Sequence, residues 1–186
     1  MRCFAAIELN QHCREALKRA TEELRELCGE HKWVAPENMH LTIKFIGNVN
    51  RKTLPNIHRG LRSACEDICT FTMKVEGLGA FPPKGRPKVI FASVKEDSGT
   101  LESLAERIET ELAERAGIKK ERRRFVPHIT LGRTRRGKKC PSPGKLSAEL
   151  ENTDFGAVEV NDVVLMQSEL AHSGPRYTVL ERLYLA

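Results

Sequence analysis

Residues 2–9 alternate loosely between apolar and polar side chains, the period of a strand, and reach Glu8 too soon for the apolar stretch of a signal peptide. From Gln11 to Cys28 the period changes. Cys13, Ala16, Leu17, Ala20, Leu24, Leu27 and Cys28 recur at helical spacing, and Gly29 supplies a stop. Residues 41–46 read as a strand ending at Gly47. A second helix is expected from a cap at Asn50, or from a start nearer Pro55, to Ile68, with Leu54, Ile57, Leu61, Ala64, Cys65 and Ile68 on its apolar face. Residues 70–78 and 88–95 are expected strands separated by the turn-rich FPPKGRP. A third helix spans 100–116, with Leu101, Leu104, Ala105, Ile108 and Leu112 on one face and Gly117 as its end. A strand at 128–134, a basic loop at 135–147 and further strands within 155–170 and 177–185 complete the chain. The expected class is α+β with predominantly antiparallel sheets.

The chain has 186 residues, 40% of them hydrophobic, which suits one domain, or one built from two similar halves, around a real core. No run approaches 18 consecutive apolar residues, so no membrane-spanning helix is expected. The net charge is +6, but a single window, 119–139, carries +9 and the rest of the chain −3. So focused a basic stripe suits a polyanion such as nucleic acid; it is also what a solvated, Lys- and Arg-rich loop looks like. The six cysteines form no CxxC pair, and Cys65 and Cys69 have no matching second pair. A metal site is therefore not expected, and reduced thiols in a cytoplasmic protein are. A monomer is expected, since no heptad or interface stripe is visible.

One echo crosses half the chain. HLTIKFIG at 40–47 is repeated, 88 residues later, as HITLGRT at 128–134: a His, an apolar residue, a Thr and another apolar residue. Side chains at i and i+2 of a strand share a face. His40 and Thr42 therefore point one way and Leu41 and Ile43 the other; His128 and Thr130 likewise oppose Ile129 and Leu131. If the halves pack about a pseudo-two-fold axis, both pairs line one cleft. An imidazole titrates near pH 6.5, so one ring can serve as general base and the other as general acid near neutrality. Two hydroxyls can hold phosphate oxygens between them. That set suits attack of water on a phosphodiester without a metal. His12, His31, His58 and His172 lack such a context and read as surface residues.

At these residues the sequence resembles the RNA 2′,3′-cyclic phosphodiesterases, also called 2′–5′ RNA ligases, of the two-histidine phosphoesterase superfamily. The resemblance runs through MRCFAAIEL, WVAPENMHLTIKFIGNV at 33–49, GLGAFPPKGRPKVIFASV at 77–94, RFVPHITLGR at 124–133, VVLMQSEL at 163–170 and GPRYTVL at 174–180. It implies two similar lobes, each an antiparallel sheet with helices outside, around a central cleft, in a single domain over 1–186 with one motif per lobe. It implies His40 as the proton donor, His128 as the proton acceptor, and Thr42 and Thr130 on the phosphate. The activity implied is hydrolysis of RNA 2′,3′-cyclic ends to 2′-phosphomonoesters, with no cofactor. The same site run in reverse could join tRNA halves by a 2′–5′ bond.

Four further residues are candidates for substrate binding. Lys44 shares the face of His40 and Thr42 by strand parity. Arg133 matches an arginine that often follows the second motif in the family; parity sets it opposite His128, unless Gly132 permits a bulge. Phe125 and Tyr177 could stack on a base, and either could equally be a core aromatic. Two other readings stay open: a non-catalytic RNA-binding module using the basic stripe, and a two-histidine esterase acting on a small cyclic nucleotide.

Overall fold

The computed structural model describes residues 1–138, 140–142, 145–146, 153–171 and 174–186. His172, Lys139 and part of the expected loop at 135–147 therefore lie outside the described residues. Strand β1 (Arg2–Glu8) leads into helix α1 (Gln11–Cys28), followed by the two-residue strand β2 (Lys32–Trp33), a 3₁₀ turn at Pro36–Asn38 and strand β3 (His40–Asn48). Helix α2 (Leu54–Cys65), strands β4 (Phe71–Phe81) and β5 (Val89–Lys95), helix α3 (Thr100–Ala116) and strand β6 (His128–Arg133) come next. Strands β7 (Asp154–Val160), β8 (Asp162–Ala171) and β9 (Gly174–Tyr184) close the chain.

The helices form where capping and apolar spacing agree. At α1 the Asn10 side chain accepts from the Cys13 backbone N–H at 2.9 Å, and Gly29 leaves the helix at φ 77°. Helix α3 buries Leu101, Leu104, Ala105, Ile108 and Leu112, the expected stripe, and ends at Gly117 in the left-handed region. Helix α2 begins at Leu54, so the start nearer Pro55 holds and the Asn50 cap does not. The Asn50 side chain instead accepts from the Lys52 backbone N–H, closing a turn before the helix.

The strands form one sheet in the order β7-β4-β5-β6-β3-β1-β8-β9, with β2 paired to β6, and every pairing is antiparallel. The order is symmetric about the junction of β3 and β6: β5 and β1 flank it, then β4 and β8, then β7 and β9. Two halves, β7-β4-β5-β6 from the middle of the chain and β3-β1-β8-β9 from its two ends, are thus joined edge to edge through a single bridged pair, Leu41 with Ile129. One face of the sheet is covered by helices over the main core, in which Ile7, Leu17, Leu41, Ile57, Ile90, Leu104 and Ile129 are fully buried. Helix α1, which follows β1, lies against β7 and β6 of the other half; α3, which follows β5, lies against β3. The opposite face carries a small apolar cluster, Phe4, Ala6, Val164 and Met166 with Tyr177 packed on it. Because both faces of β1 are covered, Cys3 to Ile7 are buried without a break.

Candidate active site

Both repeated motifs lie on this second face, at the centre of the sheet. Carrying the Leu41–Ile129 register one residue either way sets His40 across from Thr130 and Thr42 across from His128. The two imidazoles are then diagonal neighbours. Diagonal neighbours in an antiparallel pair are roughly 7–8 Å apart, which leaves room for a phosphorus and its oxygens between the rings.

Each ring is held in the same way. His40 Nδ1 lies 2.7 Å from the Asn38 carbonyl oxygen, and His128 Nδ1 lies 2.7 Å from that of Val126. A carbonyl can only accept, so Nδ1 carries the proton and the neutral ring presents Nε2 to the cleft. His40 Nε2 is 3.0 Å from the Thr42 hydroxyl. Aromatic rings wall both histidines. Phe4 stacks on His40 with centroids 4.8 Å apart, and Tyr177 meets it edge-on at 5.3 Å. Phe81 and Phe91 lie 5.1 and 5.2 Å from His128.

These walls set the electrostatics. Burial lowers the pKa of both histidines from the usual value, and it is the largest cause at each. The smaller causes differ between the two. At His40 the Asn38 hydrogen bond and Glu8 oppose the shift while Arg14 adds to it; at His128 the Val126 hydrogen bond opposes it and Arg133 adds to it. Glu8 pairs with His40 across the β1–β3 ladder and is itself bound by Arg182 at 2.5 Å.

Two bulges decide which other side chains reach this face. In β3 the register steps from Ala6–Thr42 to Ala5–Lys44, so two residues of β3 answer one of β1. Parity flips after Ile43. Lys44, expected beside His40, turns to the helical side, where it is 2% exposed. Its ammonium donates to Glu109 of α3 at 2.8 Å and to the Lys119 carbonyl at 2.9 Å. Phe45 takes the place on the site face, 55% exposed and 6.3 Å from Phe4. Strand β6 repeats the device: the register steps from Phe91–Thr130 to Ile90–Gly132. Arg133 is thereby turned to the site face, close enough in charge to act on both His128 and Tyr177. Gly132 is required there, because a Cβ would sit 2.6 Å from the Trp33 ring.

The structure thus brings His40, Thr42, His128, Thr130, Arg133 and Tyr177 together. It does not bring in Lys44, nor Phe125, whose ring packs against the main core. Phe45 is a site residue that the sequence does not disclose, because nothing in strand alternation marks a bulge. The remaining histidines divide. His12 is exposed. His31, expected at the surface, is 4% exposed and accepts from the Arg135 backbone N–H at 3.2 Å. It is buried because β2 and the chain after β6 close over it. His58, also expected at the surface, is half-buried with its Nδ1 against the Glu181 carboxylate. Among the described residues, no group of three or more His, Cys, Asp or Glu is placed to hold a metal ion. None of the helices there is long and apolar enough to cross a membrane.

The chain resembles known proteins over its full length. An RNA 2′,3′-cyclic phosphodiesterase of Aquifex aeolicus is 31% identical over 100% of this chain and 97% of its own. One of Archaeoglobus fulgidus is 35% identical over 95% and 96%. A solved protein of Thermus thermophilus superposes with a TM-score of 0.81 at 32% identity, covering 100% of this chain and 98% of its own. LigT of E. coli, solved with 3′-AMP, gives 0.77 at 25% identity, covering 99% and 97%. The model of the LigT-like phosphoesterases matches twice, over residues 7–91 and again over 93–177, once for each histidine motif. Two copies of the family's pattern, meeting at a pair of matched imidazoles, make this chain a member of the LigT-like phosphoesterase family.

Proposed function

We propose that the protein hydrolyses the 2′,3′-cyclic phosphodiester at RNA ends to a 2′-phosphomonoester, with His40 as general acid and His128 as general base. The observation that carries this reading is the pair of imidazoles on the sheet dyad, each with Nδ1 tied to a carbonyl and Nε2 turned to the cleft. Relatives named RNA 2′,3′-cyclic phosphodiesterase over nearly the whole chain supply the substrate class.

In the cycle, His128 Nε2 takes a proton from water as the water oxygen attacks phosphorus. His40 Nε2–H gives its proton to the departing 3′ oxygen, and the 2′ oxygen keeps the phosphate. Thr42, Thr130 and Arg133 hold the non-bridging oxygens, whose charge grows in the transition state. Burial favours the neutral form of both rings; among the smaller causes, Glu8 favours a protonated His40 against Arg14, and Arg133 favours a neutral His128. The bound phosphate is an anion and stabilises the imidazolium further.

The test is a short RNA ending in a 2′,3′-cyclic phosphate, incubated in EDTA, with the product resolved as 2′- or 3′-phosphate. The expected product is the 2′-phosphate, and His40→Ala or His128→Ala should each slow its formation on the order of 10²–10⁴-fold. Full activity in the double variant, or loss of activity on chelation, would overturn the mechanism.

A further inference from the structure

The basic stripe of the sequence does not remain one feature in three dimensions. Its first part is fastened to α3. The Lys119 carbonyl accepts from Lys44, Lys120 donates to Thr110 at 2.9 Å, the Glu121 backbone N–H donates to Glu109, and Arg124 pairs with Glu102 at 3.3 Å. Glu102 thus offsets one of its charges, and the segment belongs to the helical side of the sheet.

The second part follows β6 and meets another basic loop. Residues 82–88, the turn between β4 and β5, are stitched to 134–138. The Arg86 guanidinium donates to the carbonyls of Arg135 at 2.6 Å and Lys138 at 2.8 Å. The Thr134 hydroxyl donates to the Pro87 carbonyl at 2.6 Å, and its backbone N–H to that of Lys88 at 3.0 Å. The result is a ridge presenting Lys84, Arg86, Lys88, Arg135, Arg136 and Lys138, all exposed. Neither loop contains an Asp or Glu, and among the described residues none of the six has an ion-pair partner. The ridge starts at the site: β4 ends in Phe81, against His128, and β6 ends in Arg133.

Six like charges gathered by hydrogen bonds to backbone carbonyls repel one another, and a polyanion lying along them relieves that repulsion by displacing counterions. We infer that this paired-loop ridge is the track for the body of the RNA, carrying the strand away from the cleft on the His128 side, and that residues 119–124 are not. The inference rests on the reading of the substrate as an RNA end.

The experiment compares the wild type with a variant carrying Lys84→Ala, Arg135→Ala, Arg136→Ala and Lys138→Ala, and with an Arg122→Ala, Arg123→Ala control. Each is assayed on a 20-nucleotide RNA with a 2′,3′-cyclic end and on 2′,3′-cyclic AMP, over a range of salt. The ridge variant should lose about 10-fold or more in kcat/KM on the RNA at low salt and keep its rate on cyclic AMP. Its slope of log kcat/KM against log salt should shrink by roughly 2–3, at about 0.7 for each phosphate no longer neutralised. An unchanged RNA rate, or the same loss in the control, would overturn the ridge. Anisotropy of a labelled RNA reads the ridge separately: if wild type hydrolyses neither substrate, the hydrolase reading fails, while weaker binding by the ridge variant alone still supports the track.

Discussion

His40 and His128 each donate their Nδ1–H to a carbonyl two residues upstream, so Nε2 is the nitrogen left to face the cleft in both halves. Aromatic burial then keeps both rings neutral to lower pH than an exposed imidazole. The profile of kcat/KM reports the free enzyme. It should fall on the acid side as His128 protonates and on the alkaline side as His40 loses its proton. With both pKa values lowered from about 6.5, the maximum should lie below that pH. The profile of kcat should extend to higher pH, because the bound phosphate raises the pKa of the acid. A maximum of kcat/KM above pH 7.5 would count against this pairing. The two motifs were legible in the sequence because a His and a Thr two apart, with apolar neighbours, have a direct reading on a strand. His31 was not, since its burial depends on a contact with Arg135, 104 residues away.

The elements were legible as far as period and caps reach. The stripes of α1 and α3, the Gly29 and Gly117 stops and the main strands follow the apolar spacing. What alternation does not convey is the bulge in β3, which changes the face a side chain takes without changing the strand's composition; the one in β6 is offered by Gly132. They exchange Lys44 for Phe45 in β3 and bring Arg133 to the site in β6. The exposed Phe45 ring can offer its face to a nucleobase, a contact worth about 1–3 kcal/mol. Phe45→Ala should therefore raise KM for 2′,3′-cyclic nucleotides roughly 10-fold with little change in kcat, and Phe45→Trp should restore it; equal KM values in all three proteins would remove Phe45 from the site. The β6 bulge is tested at Gly132. A Cβ there meets the Trp33 ring, so Gly132→Ala should cost on the order of 1–3 kcal/mol. A urea midpoint equal to wild type, with unchanged KM, would show that the close approach has no such consequence.

At the scale of the molecule, the half-chain spacing of the motifs announced a duplication, but not how its halves interlock. Each half lends a helix to the other, α1 lying against β7 and β6 and α3 against β3. Expressed alone, residues 67–161, the half that carries β4 to β7 without α1, should lack cooperative thermal unfolding by far-UV circular dichroism. A half that melts cooperatively alone would refute this. The meeting of β3 and β6 on the dyad has a consequence for direction. Two identical halves would present the same face to either end of a phosphodiester, and a substrate entering backwards would react as readily as one entering forwards. Because one covalent chain supplies both halves, each can carry what the other lacks: Glu8 and Phe45 beside one histidine, Arg133 and the basic loops beside the other. Asymmetry of this kind is what lets a nearly symmetric machine read a molecule that has a beginning and an end.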